Sequence, residues 1–307
     1  MSAIDKRAPE TAAGNQMNPL GLMSYIYLEH RAEEMADAMA DHGVGRAQVD
    51  PRQQGLLDAQ GEWNAQQAEA IRSVFAQRGI AIPVLSGYMN LLHPDPARRE
   101  ANVLAMERLL RLAPAFGAEA VATETGSLHP TNQWAYHPDN ASEAAWEALC
   151  AVCERLGRVA ADHGVTLLLE GYVDNVLARP EQASALMARL PERGLGLVLD
   201  PFNYLTRDDL AAQGEALGRI FDQVGPRAVI AHAKDTVYTA KGIDTPRPGA
   251  GDVDWAQVAG LLAERMPEMP LYLEHTKPEE VGSALDYIRD SYDKAAAGRA
   301  KQRGDGQ

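Results

Sequence analysis

The chain has 307 residues, 46% of them hydrophobic and 23% charged, an ordinary balance for a globular domain that can bury a core of useful size. Its 29 basic and 43 acidic residues leave a net charge of −14, a field that repels polyanions and argues against a nucleic-acid partner. No apolar run approaches the roughly 18 residues of a membrane span, and the N-terminus lacks an apolar signal-peptide core, so no membrane partner and a cytoplasmic location are expected.

Residues 1–18 mix Ala, Pro, Gly, Asn and charge without period and read as a flexible leader. The first predicted strand is LGLMSYIY (20–27), followed by the helical LEHRAEEMADAMADHG. VGRAQVDP (44–51) pairs with GEWNAQQAEAIRSVFAQRG, and IAIPVLSG (80–87) with DPARREANVLAMERLLRLAPAFG. AEAVATETG (118–126) leads into a long helix, ASEAAWEALCAVCERLGRVAADHG. VTLLLEG (165–171) precedes RPEQASALMARL, and LGLVLDP (195–201) precedes RDDLAAQGEALGRIFDQVG. RAVIAHAKD (227–235) and PLYLEH (270–275) are the last strands, each with a helix behind it, and residues 298–307 read as a polar tail.

These strands are continuous apolar runs, as expected where both faces of a parallel sheet are covered. Gly43, Gly79, Gly117 and Gly164 close helices just before the next strand, while Asp95, Pro180, Asp208 and Pro278 open them. Eight strand–helix pairs in one chain favour an α/β fold of the (β/α)8 TIM barrel type, a single domain over residues 19–297. A doubly wound sheet is further weakened because no G-x-G-x-x-G follows the first strand.

Cys150 and Cys153 form a C-x-x-C inside a helix, with neither the extra soft ligands of a zinc site nor the strand-to-helix setting of a redox motif. They read as ordinary reduced helix residues.

In such a barrel the chemistry sits at the C-terminal ends of the strands. Glu170, Asp200, His232 and Glu274 end or interrupt the last four apolar runs, so four consecutive strands present them at one rim. Singly, each is as well explained as a helix cap, an ion-pair partner or a core histidine. Together, three carboxylates would repel one another strongly unless a cation joined them. Oxygens plus one imidazole suit a divalent metal, Mn2+ first, with Mg2+, Co2+ or Fe2+ as alternatives.

The segments LLLEGYVDN, LVLDPFN, IAHAKD, PRPGAGDVDW and LYLEH, with GYMNLLHPDPARRE and TETG, resemble the xylose isomerase-like TIM barrel superfamily of sugar phosphate isomerases and epimerases. The resemblance spans about residues 20–290, and its most specific pieces are D-P-x-N, H-x-K-D and P-G-x-G-D-x-D-W in that order. It implies that Glu170, Asp200, His232 and Glu274 are the metal ligands and that Glu170 and Glu274 double as the acid/base pair. It also implies a substrate-binding role for Arg247. The expected chemistry is removal of a proton beside a carbonyl, with a metal-stabilised enediolate.

Weaker candidates for substrate contact are Lys234, Asn203, Glu124, Asn175, Tyr88 and Asn90, with His93 nearby; Asp235 follows Lys234, and His129 and His137 read as ordinary loop residues. One departure matters: epimerases of the resembled group often carry D-x-x-H, whereas here Asn203 follows Asp200, and an amide cannot shuttle a proton. A lyase or dehydratase acting on a keto-sugar or inosose is therefore the second expectation. An apurinic-site endonuclease, which would need additional histidines, and a non-catalytic barrel rank below both. The expected partner is a small-molecule carbohydrate, and a homo-oligomer is permitted. No glycine-rich phosphate loop is evident, which favours a non-phosphorylated substrate.

Overall fold

A computed structural model describes residues 17–53, 56, 64–190, 194–240 and 242–304, with side chains to residue 298. In chain order the elements are β1 (Leu20–Met23), α1 (Ala32–Asp41), β2 (Arg46–Val49), α2 (Ala65–Ala76), β3 (Ala81–Ser86), α3 (Pro96–Phe116), β4 (Ala120–Glu124), α4 (Glu143–Asp162), β5 (Thr166–Glu170) and α5 (Pro180–Arg189). There follow β6 (Leu195–Leu199), α6 (Gln213–Val224), β7 (Ala228–Ala233), β8 (Val237–Thr239), β9 (Gly242–Asp244), α7 (Trp255–Arg265), β10 (Leu271–Leu273) and α8 (Val281–Gly304).

Eight strands close into a parallel barrel in the order β1-β10-β7-β6-β5-β4-β3-β2, and β8 and β9 form a separate antiparallel hairpin. Closure is made by Leu20 pairing with Leu271 and Leu22 with Leu273. Two apolar layers hold the fold. One lies between sheet and helices; the other fills the barrel with Met23, Val84, Ala120, Ala122, Leu168, Val198, Ile230 and Tyr272. Tyr272 fits there because β1 offers Gly21, where a Cβ would stand 2.6 Å from the tyrosine ring.

The expected helix stops hold: Gly43, Gly79, Gly117 and Gly164 are all left-handed, with φ of +70°, +74°, +76° and +67°. Among the starts, Asp95 accepts hydrogen bonds from Ala97 N and Arg98 N, and Pro180 occupies the first turn of α5. Asp208 does not cap α6. A 3-10 turn at Asp209–Ala212 intervenes, and α6 begins at Gln213. The first strand is also shorter than its apolar run: Ser24–Tyr27 turn into a 3-10 helix. The hairpin in the long loop after β7 had no clear sequence signal, and α8 continues through residues 298–304. Residues 1–16 of the expected leader lie outside the described residues, but Asn18 is buried, donating to Met266 O and Met269 O at 2.7 Å and accepting from Tyr292 Oη at 2.6 Å. Cys150 and Cys153 are free thiols buried on α4.

The PRPGAGDVDW segment is pinned by Asp235. Its carboxylate accepts from Thr236 N at 2.9 Å, Gly249 N at 2.9 Å and Val253 N at 3.1 Å. A Cβ at Gly251 would meet Asp235 Oδ1 at 2.2 Å, so the loop must bring bare backbone there. Trp255 locks the far end by donating to Lys234 O and stacking on Phe202. Asp235→Ala would leave three amides without their acceptor, so a loss of about 2–4 kcal/mol in unfolding free energy is expected by urea titration. A change below about 0.5 kcal/mol would show that the loop is held by something else.

Candidate metal centre

Period-two alternation decides what reaches the barrel mouth, because the residue two places beyond an inward-facing one faces inward again, one layer higher. Glu124, Glu170, Asp200, His232 and Glu274 stand two places beyond Ala122, Leu168, Val198, Ile230 and Tyr272 of the interior layer. β4 and β5 pair Glu124 directly with Glu170.

Glu170, Asp200, His232 and Glu274 are buried, and one ligand atom from each lies within 4.8 Å of all the others. His232 Nδ1 is 3.3 Å from Glu170 Oε1 and 3.7 Å from both Asp200 Oδ2 and Glu274 Oε1. Its Nε2 faces Gln48 Oε1 at 3.0 Å, and the Gln48 amide is held in turn by donating to Ser86 Oγ at 3.1 Å. A carboxamide oxygen only accepts, so the Nε2 proton points at Gln48 and Nδ1 is turned to the carboxylates.

Lys234, also buried, places Nζ 2.7 Å from Asp200 Oδ2 and 2.8 Å from Glu274 Oε1. Glu170 accepts from Asn203 Nδ2 at 2.7 Å and Tyr88 Oη at 2.6 Å, and Glu274 accepts from Tyr25 Oη at 2.8 Å. Burial raises Glu170 above the usual carboxylate range, against the pull of His232. Burial would raise Asp200 and Glu274 too, but Lys234 and His232 outweigh it and hold both low. For His232, burial favours the neutral ring, yet Glu170, Glu274 and Asp200 together push it up to about 10. Burial and the neighbouring Glu170 charge push Glu124 up to about 8, with Lys234 and the indole N–H donated by Trp134 opposing them.

A divalent cation fits these residues. Asp200 Oδ2 and Glu274 Oε1 are buried without a well-directed hydrogen bond. Three carboxylates facing one ammonium and one imidazolium still leave an excess negative charge among buried side chains, and exchanging the imidazole proton for a divalent cation would offset it. On metal loading the Nδ1 proton would be displaced, as metal binding to imidazole requires.

The adjoining cavity has a volume of about 460 Å3. Of the residues expected to contact substrate, Tyr88, Glu124, Asn203 and Lys234 line it. Three others do not. Asn175 accepts from Gly126 N at 2.8 Å and donates to Gln133 O at 3.0 Å, so its amide braces two loops. Asn90 accepts from Leu92 N at 3.1 Å and donates to Ser127 O at 2.7 Å, and lines a neighbouring cavity. Arg247 turns to Glu280 at 3.5 Å and to Pro248 O at 3.0 Å. A rim loop satisfies its own buried backbone first, and a short amide is the usual device for it.

The structure adds residues that the sequence did not single out. Tyr25 lies just past β1, and the rule that a polar residue ends an apolar run would have found it. Gln48, inside β2, gave no such signal because only its partner His232 reveals its purpose. Trp134 and Tyr172 form aromatic wall, and His275 sits at a left-handed φ of +49° with Nδ1 2.8 Å from Thr245 Oγ1. Gln48→Ala should lower metal affinity by about 10–100-fold, the usual cost of removing a partner that orients a ligand. Titration calorimetry checks this; unchanged affinity would show that His232 is oriented without Gln48.

Comparison with known proteins is consistent with this geometry. No curated protein matches the chain by sequence. A xylose isomerase-like TIM barrel protein from Mycobacterium smegmatis, solved in complex with magnesium, superposes with a TM-score of 0.65 at 18% identity, covering 94% of this chain and 99% of its own. The 3-keto-D-glucoside 4-epimerase from E. coli gives 0.66 at 14% identity, covering 89% and 99%. A probable 3-DHS dehydratase from Bacillus anthracis gives 0.66 at 14% identity, covering 89% and 97%. At these identities the likeness is one of fold. The model of the xylose isomerase-like TIM barrel family, however, matches residues 31–291, most of the chain, and on that match the protein belongs to this family.

Proposed function

We propose that the protein is a divalent-metal-dependent isomerase or epimerase of a sugar or sugar-like polyol, working by removal of a proton next to a carbonyl. The observation that carries this reading is the buried cluster of Glu170, Asp200, His232 and Glu274, one ligand atom of each within 4.8 Å of the others, opening on a cavity of small-molecule size. The same four side chains would hold the metal, Mn2+ before Mg2+, Co2+ or Fe2+. When bound, such an ion supplies Lewis-acid stabilisation of negative charge on a substrate oxygen.

The chain's own groups supply the rest. Glu170 and Glu274, steadied by Tyr88 and Tyr25, act as the acid/base pair on the substrate carbons. Lys234, Glu124 and Asn203 face the cavity and hold substrate hydroxyls or carbonyl oxygen, and Trp134 and Tyr172 keep bulk water away. With no helix among the described residues able to cross a membrane and two free buried thiols, we place the protein in the cytoplasm.

A lyase or dehydratase is the second reading, favoured by Asn203. Its amide donates to Glu170 where the resembled epimerases often place a histidine, so it positions the glutamate without relaying a proton. Incubating the metal-loaded protein with panels of ketoses, keto-sugars and inososes in deuterated water, followed by NMR, tests both. Deuterium at the α-carbon with an intact skeleton supports the isomerase, and an unsaturated or shortened product supports the lyase. Absence of exchange across all substrates would overturn both.

A further inference from the structure

Beside the central cavity lies a second one of about 470 Å3, and the two meet at Arg52 and Tyr88. Tyr88 spans the junction: its hydroxyl donates to Glu170 while its carbonyl accepts from Arg52 Nη1 at 2.9 Å. A ligand seated over Glu170 is therefore one tyrosine away from this annex.

The annex differs from its surroundings in charge. The chain carries 43 acidic residues, yet no Asp or Glu lines the annex, whereas Arg52, Arg98, His93 and His129 do. The donors are preset. Asp95 N donates to His93 Nδ1 at 3.0 Å, and Asn132 N and Thr131 N approach His129 Nδ1 at 3.2 and 3.4 Å. An imidazole nitrogen that accepts from a backbone amide carries no proton, so each ring keeps its N–H on Nε2, free to donate. Arg52 is oriented by a two-point contact with Asp50, at 2.9 and 2.8 Å, while Arg98 makes no salt bridge among the described residues. The amides at the start of α3 are not involved, since Asp95 already occupies them. Two imidazole N–H groups and the Arg98 guanidinium suit an oxyanion, which accepts from such donors, with Arg52 already paired to Asp50 at the edge of the site.

We propose that this annex is an oxyanion subsite, and that the substrate carries a carboxylate or phosphate on the arm remote from the reacting carbons. This rests on the metal-dependent sugar chemistry proposed above only for what sits next door; the anion binding stands on the annex itself. If the anion is a phosphate, it also reverses the expectation of a non-phosphorylated substrate drawn from the missing glycine-rich loop, because here side chains replace backbone amides as the anion's donors.

The test uses the full metal-loaded chain with three probes: inorganic phosphate, a sugar acid (D-glucuronate) and a sugar phosphate (D-fructose 6-phosphate), against neutral D-fructose. Calorimetry should show at least one charged sugar binding ten-fold or more tighter than D-fructose, and which one it is distinguishes carboxylate from phosphate. The Arg98→Gln/His129→Gln double variant should lose that preference, weaken phosphate binding at least ten-fold, and melt within about a degree of wild type. Phosphate should bind Glu170→Gln protein as it binds wild type. Equal affinity for charged and neutral sugars, or a preference that survives the double variant, would overturn the subsite. Phosphate binding that the double variant loses, in a protein showing no α-carbon exchange, would instead leave the subsite standing and remove the isomerase reading.

Discussion

Glu170→Gln and Glu274→Gln should each abolish turnover in a protein that remains folded and metal-loaded, a loss of about 10²–10⁴-fold or more if each serves as a positioned acid or base. Glutamine keeps the length of the side chain and an oxygen to accept from Tyr88 or Tyr25. What it removes is the proton-carrying group and one negative charge. Loss of charge alone would weaken metal binding, so the assay belongs at saturating metal with bound metal measured alongside. Failure of catalysis at full metal occupancy then isolates the acid/base role. Wild-type turnover in either variant would withdraw that glutamate from the reaction.

Exhaustive chelation is the second large effect. The metal-free protein should be inactive, and activity should return with Mn2+ or Co2+. An ion that binds only the folded state also stabilises it, by about 2.7 kcal/mol at a hundred times its dissociation constant. The thermal midpoint should accordingly rise by several degrees on loading, and Asp200→Asn should remove most of that rise. Lys234 sharpens the expectation. In the metal-free chain its ammonium sits against Asp200 and Glu274, where it partly neutralises the cluster, so the chelated barrel should stay folded rather than collapse. Full activity with metal shown to be absent would end the metal-dependent reading, and a loaded protein that melts with the free one would show that the four side chains hold no ion.

How much of this was legible beforehand follows from what sequence can encode. The apolar runs, their glycine stops and their number specify the barrel, because burial on both faces leaves a local signature in each strand. The four ligand candidates were readable for the same reason: a charged residue closing a buried strand is anomalous at its own position, and period two fixes the face it joins. Asn175, Asn90 and Arg247, expected to contact substrate, do not line the central cavity, because a rim position does not say whether a polar group serves a ligand or its own loop. Asn175 is committed to Gly126 and Gln133, residues 49 and 42 positions away in the chain.

Sequence by itself determined the repeating architecture and the chemical identity of the groups at the rim, since both rest on hydrophobic periodicity within single segments. Tertiary structure alone decided that Gln48 on β2 turns the imidazole of His232 on β7, that Lys234 settles between two carboxylates, and that Arg98 and His129 meet in one acid-free annex. The physical reason is that hydrogen bonding and electrostatic coupling act over a few ångströms of space, and closing the barrel brings to that range groups as far apart in the chain as Gln48 and His232, 184 residues, or Tyr25 and Glu274, 249 residues.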